Sequence, residues 1–330
     1  MVTVVPNSSE AMMPIGDAMN SPNFLISLTN DDNDYQQEQA AAAEDAARRV
    51  GVGVQIVYAE NDAITQSQQL LKIIQSGSAP HPDAIIFEPV GATALPQVAR
   101  AAVTAGIGWV VLNRDVDYLT DLRRGSRVPV FAITSDHEEI GRIQGRQMAA
   151  LLPKGGYVLY IEGPSESSAA RQRTSGMQET KSAEIQIRTL RAQWTEASAF
   201  KAVSSWLRLS TSREARIDMI AAQDDSMAIG ARKAFQEHSS EADRQKWLKL
   251  PMTGCDGLPK TGQAWVKSGV LAATVVVPPN TGLALELLMQ AIRSKAQQPE
   301  CKLTVPTSFP SIEVLVGQRG ERAASARHGR

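Results

Sequence analysis

The chain is short of cysteine, histidine, aromatic side chains, long apolar runs and charge of one sign, and each shortage excludes a class of protein. Two cysteines, Cys255 and Cys301, cannot build a disulfide framework, and no Cys/His spacing suits a zinc site. With four histidines and no general base placed beside a nucleophile, enzyme chemistry has little support. No stretch reaches the roughly 18 to 20 uninterrupted apolar residues of a spanning helix. The longest apolar runs, such as 109–112 and 274–277, have the length of strands. Lys and Arg number 34 against 35 Asp and Glu, a formal net charge of −1, which argues against a nucleic-acid binder that relies on a strongly basic surface. The first 22 residues contain no Lys or Arg and no apolar run of seven, so as written they do not read as a signal peptide. No period of 20 to 50 residues marks a solenoid or propeller.

What remains is a soluble globular composition, 43% hydrophobic and 21% charged. Its 330 residues suit about two domains. The periodicity alternates between short apolar runs and helical patterns. Strands are expected at 24–28, 54–58, 84–87 and 109–112, with helices at 35–49, 65–75 and 94–104 between them. Gly51 reads as the stop of the first helix and not as part of a dinucleotide fingerprint, because it precedes a strand. After an irregular charged segment, 115–127, the pattern resumes with strands at 130–134, 157–161, 185–190, 217–221, 251–254, 272–277 and 312–315. Helices at 136–152, 168–180, 198–209, 225–238, 259–267 and 281–296 separate them. Strand-helix alternation without hairpin signals implies parallel strands joined by right-handed crossovers. Eleven strands fit two sheets better than one.

In open parallel sheets, ligands bind beyond the carboxyl ends of the strands. The residues just after those ends are Asn30, Asp31, Asp32, Asp34 and Tyr35; Glu88; Asn113, Arg114 and Asp115; Arg171 and Arg173; Trp194; Asp224 and Asp225; and Asp256. Nearly every strand end supplies a planar polar group. Carboxylates accept two hydrogen bonds and guanidiniums donate in a fixed fork, so the set suits a small ligand covered in hydroxyls. Trp194 offers an aromatic face to a sugar ring. Helix-capping is the plainer role for Asp225, core packing for Trp109, and a solvated loop for Asp31 and Asp32. For His137 a structural role is the plainer reading.

These residues fall in four ordered motifs: VVLNRDVD at 110–117, SSAARQRTSG at 167–176, AAQDDSMAIGA at 221–231 and TGCDGLPK at 253–260. Together they resemble the type I periplasmic solute-binding proteins, the ribose-binding protein family, whose fold is shared by the ligand-binding core of lactose-repressor-type regulators. The resemblance covers about 22–318. It implies an α/β fold of two doubly wound parallel-sheet lobes joined by a three-strand hinge. The expected division is a flexible segment 1–22, a first lobe of 23–134 plus 278–306, a second lobe of 135–277 plus 307–318, and a flexible tail 319–330. It implies ligand contacts at Tyr35, Asn113, Arg114, Arg173, Trp194, Asp224 and Asp256, and secondarily at Asn30, Asp34, Glu88, Asp115 and Arg171. No cofactor, no metal, no nucleic acid and no membrane insertion are expected. The expected partners are a sugar or polyol ligand and an ABC transporter permease or a sensor kinase, with the protein a monomer in the periplasm or cell envelope. A cytoplasmic sensor is the alternative location.

Three departures stand out. Asn113 replaces the family's usual acid, Asp224 its usual Asn, and Val277 a glutamine that contacts sugar. The acidic first loop also admits a cationic or polyamine ligand. A regulator core without its DNA-binding head and an enzyme on a doubly wound fold are the alternative functions. About 22 residues before the first strand are too few for a helix-turn-helix head, and the missing glycine fingerprint speaks against a dehydrogenase.

Overall fold

The computed structural model describes residues 21–317 apart from 78–79, 92–93, 115, 214, 238–239 and 295–297. Nearly all of the terminal segments expected to be flexible, and Asp115, lie outside the described residues. The elements run β1 (Asn23–Leu28), α1 (Asp34–Val50), β2 (Gly53–Tyr58), α2 (Ala63–Ile74), β3 (Ala84–Phe87), α3 (Pro96–Thr104), β4 (Gly108–Leu112), α4 (Leu119–Arg124) and β5 (Val130–Ser135). There follow α5 (His137–Leu151), β6 (Gly156–Glu162), α6 (Ser168–Thr180), β7 (Ile185–Arg191), α7 (Glu196–Leu207), α8 (Ser210–Arg213), β8 (Met219–Ala222), α9 (Asp225–Gln236) and α10 (Glu241–Leu248). The chain continues through β9 (Met252–Thr253), α11 (Gly262–Lys267), β10 (Thr274–Val276), α12 (Thr281–Ser294), β11 (Cys301–Thr304) and β12 (Thr307–Phe309).

The first lobe is a six-stranded parallel sheet in the order β11-β5-β4-β3-β1-β2. Because side chains alternate along a strand, its buried residues sort onto two faces. Phe24, Ile26, Leu28, Val110 and Leu112 meet α1 and α12 through Ala43, Ala46, Leu285 and Leu288. Leu25, Ile85, Phe87, Trp109 and Val111 meet α2, α3 and α4 through Leu70, Val98 and Leu119. Trp109 is core, as expected, and its indole N–H donates to the Tyr118 hydroxyl at 3.2 Å. Asn33 caps α1 by accepting from the backbone N–H groups of Tyr35 and Gln36, and Gly51 ends that helix at φ 74°.

The second lobe holds the parallel sheet β7-β6-β8-β9. Leu159, Ile161, Ile220 and Ala222 face α7 and α9, and Val158, Tyr160, Met219 and Ala221 face α5 and α6. Helices α5 and α6 touch backbone to backbone. A Cβ at Gly141 would lie 2.1 Å from the Arg173 carbonyl oxygen, and one at Gly176 would lie 2.0 Å from that of Glu138. That approach brings Arg173 on α6 beside His137 at the start of α5.

Four local expectations are corrected. Residues 312–317 are helical, not a strand. Ile312 and Leu315, three apart, both pack into one small cluster with Ala150 and Ala273, and the Ser311 hydroxyl accepts from the Val314 N–H at 3.4 Å. The late strands are instead β11 and β12, short mixed segments that carry no apolar run. The pairing of β10 with β12 is antiparallel, the one exception among the described strand pairs. The helix expected over 259–267 is confined to α11, beginning after Thr261.

Candidate functional site

A cavity of about 450 Å³ opens at the carboxyl ends of both sheets. That size is typical of sites for small ligands. Tyr35, Glu88, Asn113 and Arg114 line it from the first lobe, and Arg173, Trp194, Asp224 and Asp256 from the second. The backbone is bent to place them. Among non-glycine residues with positive φ, Asn61 (57°), Asn113 (57°), Trp194 (61°) and Asp256 (111°) all line this cavity. Left-handed backbone is tolerated by Asn and Asp but costly for Trp, and such strain concentrates at functional sites.

On the first-lobe side, Glu88 is buried and its carboxylate accepts from the side-chain amides of Gln36 and Asn113, each at 3.0 Å. Arg114 lies 3.7 Å from the other Glu88 oxygen and donates to the Asn113 carbonyl at 2.7 Å. Its Nε is buried without a partner. The Asn113 side-chain oxygen accepts from Asn280, whose own oxygen accepts from Thr304 at 2.9 Å; Thr304 in turn meets Ser135 at 3.3 Å. Those three residues stand on three separate passages of chain between the sheets. Asn113 is thus tied directly to the hinge.

On the second-lobe side, Arg173 is buried. It donates through Nη1 to the Gln223 carbonyl and through Nε to His137 Nδ1 at 3.4 Å, with its guanidinium 5.4 Å from the Trp194 ring centre. His137 Nε2 lies 3.2 Å from the Asn113 carbonyl oxygen, which can only accept, so this nitrogen carries the proton. Burial, then the charges of Arg173 and Arg114, push the imidazole pKa well below its ordinary value and keep it neutral. His137 therefore bridges a first-lobe carbonyl and a second-lobe arginine. Asn33 also spans the cleft, donating to the Trp194 carbonyl at 2.8 Å.

Asp224, not Asp225, caps α9: its Oδ1 accepts from the Met227 N–H at 2.5 Å. Asp225 instead turns inward to accept from the Gly257 N–H and the Thr274 hydroxyl, both at 2.8 Å. The cap was expected at Asp225 and falls one residue earlier, because residue spacing alone does not separate the last non-helical residue from the first helical one; Asp224 also lines the cavity, as expected. Asp224 Oδ2 is buried without a partner. Burial raises the Asp224 pKa to about 6, and burial with two neighbouring carboxylates raises that of Asp256 well above the usual range.

The secondary candidates divide. Asn30 and Glu88 line the cavity. Arg171 is exposed and donates to the carbonyls of Ser165 and Glu166, and Asp34 opens α1; neither lines the cavity. Tyr35 reaches the cavity but packs in an apolar cluster with Ile140, Cys255 and Val277, its hydroxyl donating to the Pro278 carbonyl at 3.2 Å. Asn61 and Ser135 line the cavity and were missed, and His137, read from the sequence as structural, lines it too. Asn61 follows β2, while Ser135 closes β5 and His137 opens α5; these two early strand ends were passed over.

Residues 24–296 match the periplasmic binding protein domain model. The chain belongs to that family. It is a solute-binding protein and not an enzyme. A Rhizobium meliloti protein named for rhizopine binding is 30% identical over 207 residues, 61% of this chain and 63% of its own length. The D-allose-binding periplasmic protein of Escherichia coli is 26% identical over 277 residues, 82% of this chain and 85% of its own length. A solute-binding protein from Actinobacillus succinogenes, solved with bound D-allose, shares the fold at a TM-score of 0.74 and 23% identity, covering 87% of this chain and 97% of that one.

Proposed function

We propose that this protein binds a sugar or cyclic polyol between its two lobes and closes over it, for delivery to an ABC-type permease in the periplasm or cell envelope. The observation that carries the reading is the convergence of fixed, buried hydrogen-bonding groups from both sheets on one cavity. Asn113 and Arg114 act from the first lobe and Arg173, Asp224 and Asp256 from the second, so a bound ligand stabilises the closed form by contacts with both. Trp194 covers an apolar ring face. The relative named for D-allose supports the ligand class. The lobes comprise 23–134 with 278–306 and 135–277 with 307–318, consistent with β11 pairing in the first sheet and β12 pairing with β10.

A thermal-shift screen over pentoses, hexoses, inositols and sugar acids tests the proposal. A ligand at 100 times its Kd stabilises by about 2.7 kcal/mol. Arg173→Ala and Asp256→Ala are expected to abolish the shift for the true ligand. Unchanged shifts in both variants would sink the site assignment.

A further inference from the structure

The buried acidic and basic side chains of the cavity do not balance in number. Glu88 and Arg114 form a pair at 3.7 Å in the first lobe. The second lobe sets one guanidinium, Arg173, against two cavity-lining carboxylates, Asp224 and Asp256, with Asp225 directly behind them. All three aspartates are at most 7% exposed. Two of the five Arg173 N–H groups are engaged, one by Gln223 and one by His137, and its face is turned to Trp194. The N-terminus of α9 gives one N–H to Asp224 Oδ1 and leaves Oδ2 buried and without a partner. A carboxylate held this way out of water is expensive unless something positive or acidic meets it.

We propose that the ligand carries one ammonium group, received by Asp224 with Asp256 in support, so that the solute is an amino sugar or amino polyol. The inference rests on the reading of the cleft as a polyol site and narrows it. A hydroxyl would satisfy Oδ2 as a donor but leave the crowded carboxyl groups holding their protons; an ammonium satisfies Oδ2 and also favours their ionised form. A metal ion is the other positive candidate, and among the described residues no group of three His, Cys, Asp or Glu side chains is placed to hold one. The balanced first lobe then serves the neutral hydroxyls.

The test is calorimetry at pH 7 with matched probes: amino-deoxy hexoses and amino-deoxy inositols, each beside its parent hexose or inositol. At least one amine is expected to bind ten times or more tighter than its parent, and the ratio to fall toward one in Asp224→Asn, whose side chain still caps α9. Titrations at pH 6 in two buffers of different ionisation enthalpy read the wild-type protein directly. Asp224 faces Arg173, Asp225, Asp256 and Asp34, and an ammonium added to that set lowers the pKa values of the aspartates, so binding is expected to release protons. Parents binding as tightly as amines, with no proton release, overturn the inference and leave the polyol reading standing. Binding of neither class overturns both.

Discussion

The unliganded protein is expected to be made more stable by Asp224→Asn. Folding raises the Asp224 pKa from the ordinary 3.8 to about 6, chiefly through burial. The sign follows from proton counts. Between those two values the native state holds a proton that the unfolded chain has lost, so stability declines as pH rises through the interval and the full cost is present above pH 6. At about 1.4 kcal/mol per pH unit the cost is about 3 kcal/mol, shared with Asp225 and Asp256, which lie in the same field. Asparagine keeps the acceptor for the Met227 N–H and caps nearly as well as aspartate. The variant is therefore expected to gain about 1 to 3 kcal/mol at pH 8, and the gain should shrink toward zero near pH 4. Urea denaturation of both proteins at pH 4, 6 and 8 measures it. Equal stability at pH 8, or a gain that does not depend on pH, would refute the account of Asp224 as a carboxylate held at a cost for binding.

Three further outcomes follow from the geometry. Gly176→Ala places a Cβ 2.0 Å from the Glu138 carbonyl oxygen, so it should force α5 and α6 apart at a cost of about 1 to 3 kcal/mol, read by urea melts. Because Arg173 sits one turn earlier on α6, affinity for the ligand should fall with it. Asn33→Ala removes the α1 cap and should cost about 0.5 to 2 kcal/mol of stability. Asn33→Asp keeps the cap but not the donor to the Trp194 carbonyl, so calorimetry should show weakened ligand binding at near-normal stability; wild-type affinity would remove the interlobe role of this residue.

Much of this architecture is legible in the residues because parallel strands buried on both faces read as continuous apolar runs, as at 84–87 and 109–112, and because caps such as Asn33 and Gly51 mark where helices start and stop. The chain ends of the strands then point to the cavity. Legibility fails where tertiary contact decides. β11 is an exposed edge strand, recognisable only from its pairing with β5. The segment 312–317 takes its helical form from packing against Ala150 and Ala273. At the site, residue types were readable but not their commitments: Asn113 is bound to Glu88 and Asn280, Tyr35 is packed in the hinge, and Asp224 divides its two oxygens between a helix and the cavity. Arg171 and Arg173 differ by two positions on one helix, which turns them to different sides.

The central claim is that both lobes grip one polyhydroxylated solute in this cleft. A crystal structure of the protein with the strongest binder from the thermal-shift screen tests it most directly. The account predicts a single ligand in contact with Arg114 or Asn113 on one side and with Arg173, Asp224 and Asp256 on the other, under the face of Trp194. A ligand held by one lobe alone, or lodged outside this cavity, would contradict it.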